Sequence, residues 1–242
     1  MSKHKITVRN SPGWRNFHIC TLGVSVPSSN WQDDHFASIL GFAAANFTTI
    51  RIDVTDRLYR HNFMARGLSP AEAEARADAL GEEWIKRHRR IIDGSPVKPD
   101  VIRWKQWHEH PNYATVLEGF QYAAAVNSTL NSAIENDVDM FCRRQNETMT
   151  ATGRQHSRDF LIEELAVMTL QARELPHLRM YPGEQLDCVH AVRTGLIPEA
   201  PRGLEREQFA RLDIRTRDLA PIPYQQPSHP LPRALAPACQ PV

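Results

Sequence analysis

The chemistry open to this chain is concentrated in a serine, a pair of glutamates, a histidine and a run of cations. Gly23-Val24-Ser25-Val26-Pro27 closes an apolar, β-branched stretch that begins at His18. A serine at the carboxyl end of a buried strand faces the crevice where open α/β sheets bind ligands, and Gly23 leaves room for a substrate against the backbone. That serine is either a nucleophile or a hydroxyl satisfying a turn amide. Glu163-Glu164 lies inside Phe160 to Met168, where apolar residues dominate both sides, so one carboxylate should face inward. An inward carboxylate titrates upward, which suits moving a proton or holding an amino group. The other reading is a surface pair. Asp187-Cys188-Val189-His190 reads as strand, with Cys188 and His190 on one side and Asp187 and Val189 on the other. His190 then either reaches the site or is a satisfied core histidine. Lys86-Arg87-His88-Arg89-Arg90 wraps cations around a helical turn. It complements a helix C-terminus or contacts RNA phosphates. Arg143-Arg144 is a weaker second patch, and His108-Glu109-His110 reads as surface.

The elements that must position these residues follow from periodicity. His18–Val26 reads as a strand, Asp33–Asn46 as a helix with Phe36, Ile39, Leu40, Phe42 and Ala43 on one face, and Thr48–Val54 as a second strand. Strand, helix, strand at this spacing is a βαβ unit and implies a parallel sheet. Ser69-Pro70-Ala71-Glu72 opens a long helix with a capping box and proline at its first position. That helix ends near Gly94-Ser95-Pro96. Val101–Trp107 is a third strand candidate, Asn112–Arg144 one or two helices, Arg158–Glu174 another helix, and Gln185–Val192 a late strand. The expected organisation is a polar arm over 1–16, a catalytic unit over 17–215 and a flexible tail over 216–242. Nine of the 17 prolines lie between Pro198 and Pro241, where too few apolar residues remain to offset ordering entropy.

Composition bounds the function. The chain has 242 residues, 41 % hydrophobic and 24 % charged, as in ordinary globular proteins, and 29 basic residues against 28 acidic ones give net +1. A global electrostatic grip on nucleic acid is therefore excluded, and only a local patch remains. Cys20, Cys142, Cys188 and Cys239 are scattered with no CxxC spacing, so no zinc site is indicated and free thiols in a reducing, cytoplasmic setting are expected. No apolar run approaches the ~20 residues of a membrane span. The amino-terminal residues do not read as a secretory signal.

Taken in order, from about His18 to Thr194, these pieces resemble the tRNA-dependent cyclodipeptide synthases. The match runs through Gly23-Val24-Ser25, Ile52-Asp53, the basic cluster Lys86 to Arg90, Phe160-Leu161-Ile162-Glu163-Glu164 in place of a Tyr-x-x-x-Glu helix motif, and Cys188-Val189-His190 in place of a late-strand triplet. There are three departures. The helix tyrosine is Phe160, the late-strand tyrosine or proline is Val189, and the asparagine expected three residues after the serine is Ser28.

The resemblance implies an α/β fold, a Rossmann-like parallel sheet flanked by helices, similar to the catalytic domain of class I tyrosyl- and tryptophanyl-tRNA synthetases. In agreement, the chain has no GxGxxG, P-loop, HIGH-like or KMSKS-like motif. It implies an ATP-independent aminoacyltransferase that makes a diketopiperazine from two aminoacyl-tRNAs through an aminoacyl-serine, as a monomer without metal or cofactor. Ser25, Glu164 and His190 would be catalytic. Gly23, Ser28, Asp53, Phe160, Glu163, Asp187 and Val189 would line the substrate pocket, and Lys86, Arg87, Arg89 and Arg90 would contact tRNA. The departures point toward the divergent eukaryotic branch that makes arginine-containing products. Arginyl-tRNA would then be one partner, and Asp53, Asp187 and Glu163 the candidate guanidinium acids. A serine hydrolase competes with this reading, although Pro27 replaces the last glycine of G-x-S-x-G. A non-catalytic RNA-binding α/β protein is the other alternative.

Overall fold

The computed structural model describes residues 4–145 and 149–216. The expected proline-rich tail lies beyond Thr216, outside the described residues. The first βαβ unit is β2 (Ile19–Val24), α1 (Asp33–Asn46) and β3 (Thr49–Val54), with β2 and β3 parallel and Gly23 opposite Asp53. β2 is a near-continuous apolar run because both its faces are covered, whereas β3 alternates Thr49, Arg51 and Asp53 with Ile50, Ile52 and Val54. After β3 come α2 (Arg60–Met64) and α3 (Pro70–Asp93), whose Ser69–Glu72 capping box is formed as its sequence predicts. Next are β4 (Asp100–Arg103), α4 (Trp104–His108), α5 (Tyr113–Val126), α6 (Ser128–Gln145) and α7 (Ala151–Glu174). The chain then returns through β5 (Leu178–Tyr181), α8 (Asp187–Arg193) and β6 (Gln208–Thr216).

The sheet has six strands in the order β1-β6-β5-β2-β3-β4, where β1 is His4–Arg9. All neighbours are parallel except β1, which runs antiparallel to β6. The chain moves from β2 to β3 and β4 on one side, then crosses to β5 and β6 on the other. The carboxyl ends of β2 and β5 therefore flank a topological switch point, the ligand crevice of such sheets. One core packs Phe36, Ile39, Leu40 and Trp84 against Leu22, Val24, Ile52 and Val54. A second gathers α4 to α8 around α7, which is buried on nearly every side from Leu161 to Ala172.

Four expectations are corrected. Residues 4–9 are not an arm but an edge strand, because the backbone of β1 pairs in antiparallel register with β6 from His4 to Arg9. Val101–Trp107 is strand only as far as Arg103. There Gln106 accepts the Arg103 N–H at 2.8 Å and starts a helix that buries Trp104 and Trp107 three residues apart on one face. The segment read as a late strand is α8. Its apolar residues Cys188, Val189, Ala191 and Val192 follow helical spacing, and the Asp137 carboxylate of α6 accepts the N–H groups of Asp187 (3.0 Å) and Cys188 (2.9 Å). α7 begins at Ala151, capped by Thr150, a full two turns before the expected Arg158.

Candidate active site

Ser25 follows β2 directly and remains half-buried at the switch point. Its carbonyl accepts the Ser28 N–H at 2.9 Å, closing a turn that leaves the Ser25 side chain free of cap duty. Ser28 instead performs it, its hydroxyl accepting the Asn30 N–H at 3.3 Å. The Ser25 hydroxyl is hydrogen-bonded to the Tyr59 hydroxyl. Tyr59 ends the 3-10 turn Arg57–Tyr59 between β3 and α2. Its ring meets Phe160 edge-on, with centroids 5.9 Å apart and an interplanar angle of 83°. Phe160 and Glu164 are one helical turn apart on the same face of α7. A chain of contact therefore runs from Ser25 through Tyr59 to the helix that carries Glu164.

Glu163 and Glu164 diverge. Glu163 is buried and accepts from Arg60 through both terminal nitrogens (Nη1 at 2.7 Å), from His108 at 2.9 Å, from His61 at 3.1 Å and from Trp104 Nε1 at 3.2 Å. Burial alone would raise its pKa, but the bonds from His108, His61 and Arg60 hold it well below the ordinary carboxylate range. This corrects its expected role as a substrate acid, since no acceptor capacity is left for a guanidinium. It also corrects the surface reading of His108. Glu164 stays half-buried and has no hydrogen-bond partner among the described residues. Burial pushes its pKa up to about 7, with Arg179 opposing and Asp137, Asp53 and Glu207 adding to the rise.

Beneath Glu164 lies a buried network. The Arg179 guanidinium donates to Glu207 at 2.7 Å and to Gln171, and stands 3.5 Å from Asp53. Asp53 also accepts from Gln171 Nε2 at 2.7 Å. His177 lies 3.1 Å from Glu207. Asp53, expected in the pocket, is thus held inside the protein. Gly23 clears Arg179 rather than a substrate: a Cβ there would stand 3.2 Å from Arg179 Nη1. Tyr181, next over Gly23, ends β5 and is followed by Pro182. A tyrosine and a proline thus stand at the end of β5, one segment before Val189, the residue matched to the late-strand tyrosine or proline.

The remaining expected residues are not brought together with Ser25. Asp187 and His190 are exposed on α8, and Val189 is buried in the helical core. Lys86, Arg87, Arg89 and Arg90 are all exposed on α3. His88, inside that run, is fully buried. Burial lowers its pKa, and its Nε2 accepts the Asp33 N–H at 3.0 Å while Nδ1 donates to the Trp84 carbonyl at 2.8 Å. Among the described residues, His61, His156 and Asp159 form the group with metal-ligand donors clustered within 4.8 Å.

Tyr59, Arg60, Arg179 and Tyr181 were not singled out from sequence. Only Tyr181-Pro182, a strand end, carried a local signal; the others act across long chain separations.

A parallel sheet with crossovers on both sides of β2 and polar groups converging at its switch point defines a Rossmann-like α/β protein. The cyclodipeptide synthase family model matches residues 10–174, and the chain belongs to that family. It is a cyclodipeptide-forming aminoacyltransferase, which sets aside the hydrolase and non-catalytic readings. The fold is shared with a cyclodipeptide synthase of Fluoribacter dumoffii, at 24 % identity over 88 % of this chain and 98 % of that one, with a TM-score of 0.79. It is also shared with the synthase of Candidatus Glomeribacter gigasporarum bound to Phe-tRNA, at 19 % identity over 86 % and 92 % with a TM-score of 0.64. A Mycobacterium tuberculosis protein, described as demonstrating that cyclodipeptide synthetases are related to type I tRNA synthetases, matches at 16 % identity over 87 % and 93 % with a TM-score of 0.68. No curated protein matches the chain.

Proposed function

We propose that the chain, acting as a monomer, condenses two aminoacyl-tRNAs into a diketopiperazine through an aminoacyl ester on Ser25. The supporting observation is the Ser25 hydroxyl at the switch point, joined through Tyr59 and Phe160 to the helix bearing an unpartnered Glu164. Ser25 Oγ attacks the ester carbonyl of the first aminoacyl-tRNA, and the ribose oxygen leaves with the proton. The Glu164 carboxylate holds the α-ammonium of the bound residue and accepts its proton. The freed amine attacks the second ester to give a dipeptidyl-enzyme. The new terminal amine then closes a six-membered ring on the Ser25 ester and releases the serine, a unimolecular step favoured by proximity.

The proposed product contains arginine. Of the three acids first considered for it, Glu163 and Asp53 are engaged and Asp187 is exposed. What supports an arginine-containing product is the departure from the family's motifs at Ser28 and Phe160. The test is mass spectrometry of extracts from cells expressing the wild type and Ser25→Ala. A cyclic dipeptide present only with the wild type is expected, with a mass that includes an arginine residue. A purely apolar product would remove the arginine assignment, and a product that survives Ser25→Ala would remove the acyl-serine.

A further inference from the structure

Tyr59 is held with more force than a surface tyrosine needs. Arg57, two residues before it, and Arg60, the residue after it, are both clamped. Arg57 is bidentate to Asp78 of α3, at 3.2 Å from Nε and 2.7 Å from Nη2, and also meets Glu74 at 3.1 Å. Arg60 is bidentate to the buried Glu163 of α7. The turn is started by Asp56, itself fully buried, which accepts from the Arg57 N–H (2.7 Å), the Trp104 N–H (3.1 Å) and Arg103 Nε (2.5 Å). The Tyr59 N–H donates to the Asp56 carbonyl at 2.9 Å. The turn's backbone and both arginines are thus fixed, and the Tyr59 hydroxyl meets Ser25 Oγ. The two residues are on different elements, so nothing local makes their hydroxyls meet. Fixing a side chain of this size costs conformational entropy, and functional groups are held by such supporting contacts.

The opposing residue supplies a second, independent observation. Phe160 lies against the Tyr59 ring and has no hydroxyl, so around Ser25 Oγ the hydroxyl comes from the turn and not from α7. Glu163, which the reaction itself does not use, finds its purpose here: it holds Arg60 and so the turn.

We infer that Tyr59 is a catalytic residue, the hydroxyl partner of Ser25, and that it supplies from the β3–α2 turn the hydroxyl absent at Phe160. The inference rests on Ser25 being the nucleophile. As the bond from Ser25 Oγ to the acyl carbon forms, the Oγ proton passes to Tyr59 Oη. The phenol's own proton passes to the ribose oxygen as the acyl–oxygen bond breaks. Tyr59 is neutral before and after, and the tRNA leaves with a free hydroxyl.

The experiment measures the rate of acyl-enzyme formation by intact-protein mass spectrometry with a charged tRNA mixture. It compares wild type, Ser25→Ala, Tyr59→Phe and Tyr59→Phe combined with Phe160→Tyr, each checked by thermal melting. Tyr59→Phe keeps the ring and its contact with Phe160, so its melting temperature should stay close to that of the wild type. Its acylation should be about ten- to a hundredfold slower. Restoring a hydroxyl on the adjacent ring with Phe160→Tyr should recover at least tenfold of that loss. Acylation of Tyr59→Phe within twofold of wild type, alongside none for Ser25→Ala, would overturn the role of Tyr59 and leave Ser25 in place. Loss without recovery in the double variant would overturn the exchange of the hydroxyl between the two rings. Acylation that persists in Ser25→Ala would remove the reading on which the inference rests.

Discussion

Glu163 and Glu164 are neighbours of identical chemistry, yet the fold drives their protons in opposite directions. Successive helical residues point about 100° apart, so one faces Arg60, His61 and His108 while the other faces Asp53, Asp137 and Glu207 across Arg179. The sign of each consequence follows from linkage. The folded pKa of Glu164, about 7, lies above its ordinary 4.5. Its stabilising contribution is complete below pH ~4.5 and is lost as pH rises through 7. Glu164→Gln cannot ionise, so it should melt at the wild-type temperature at pH 4 and at a higher temperature at pH 8. Its aminoacyl transfer should nevertheless collapse, because the amide cannot accept the ammonium proton. A lower melting temperature at pH 8 would mean that the carboxylate is already paired in the free protein. For Glu163, with a depressed pKa, the order reverses: stability is present above the ordinary value and is lost only in stronger acid.

At the scale of elements, the contact between α3 and the Asp56 turn sets the position of Tyr59. Gly81 of α3 passes so close that an added Cβ would stand 2.2 Å from Asp56 Oδ2 and 2.5 Å from its Cβ. In an exposed helix Gly→Ala stabilises by about 1 kcal/mol. Here the clash is with a buried, triply bonded carboxylate that cannot swing away, so overpacking of about 1–3 kcal/mol wins. Gly81→Ala should lower the melting temperature and slow acylation together, as read by calorimetry and the acyl-enzyme assay; a rise in melting temperature would show that Asp56 is free to move. This contact also marks where sequence reading stops. The βαβ unit, the capped start of α3 and the serine after β2 were legible, because apolar runs, caps and turns are local patterns. α8 was misread because a seven-residue helix gives under two turns of period, and its decisive cap, Asp137, comes from another helix. Glu164 was legible as one member of an inward pair. Which member faces the site came from the resemblance alone, since physically it depends on Arg60, His108 and Arg179, each distant in the chain.

Over the whole molecule a net charge of +1 provides no long-range pull on a polyanion, so any grip on tRNA must be local and placed relative to Ser25. The last turns of α3 meet that need. Trp84 Nε1 donates to the Trp31 carbonyl at 2.9 Å, His88 accepts the Asp33 N–H, and Arg87 donates to Gln32 at 2.9 Å. All three partners lie in the segment that leads from Ser25 into α1. The exposed cations Lys86, Arg87, Arg89 and Arg90 are therefore tied to the nucleophile's own loop, while the neutral, buried His88 acts as the tie. Each phosphate contact contributes ~0.7–0.9 to the slope of log affinity against log salt, so four of them contribute about three. Replacing all four by glutamine, with His88 kept, should weaken tRNA binding at low salt and flatten that slope by about three. The melting temperature should change little, because none of the four is buried. An unchanged slope would reduce the run to a solvated helix end, and tRNA would have to be gripped by other cations such as Arg143 and Arg144.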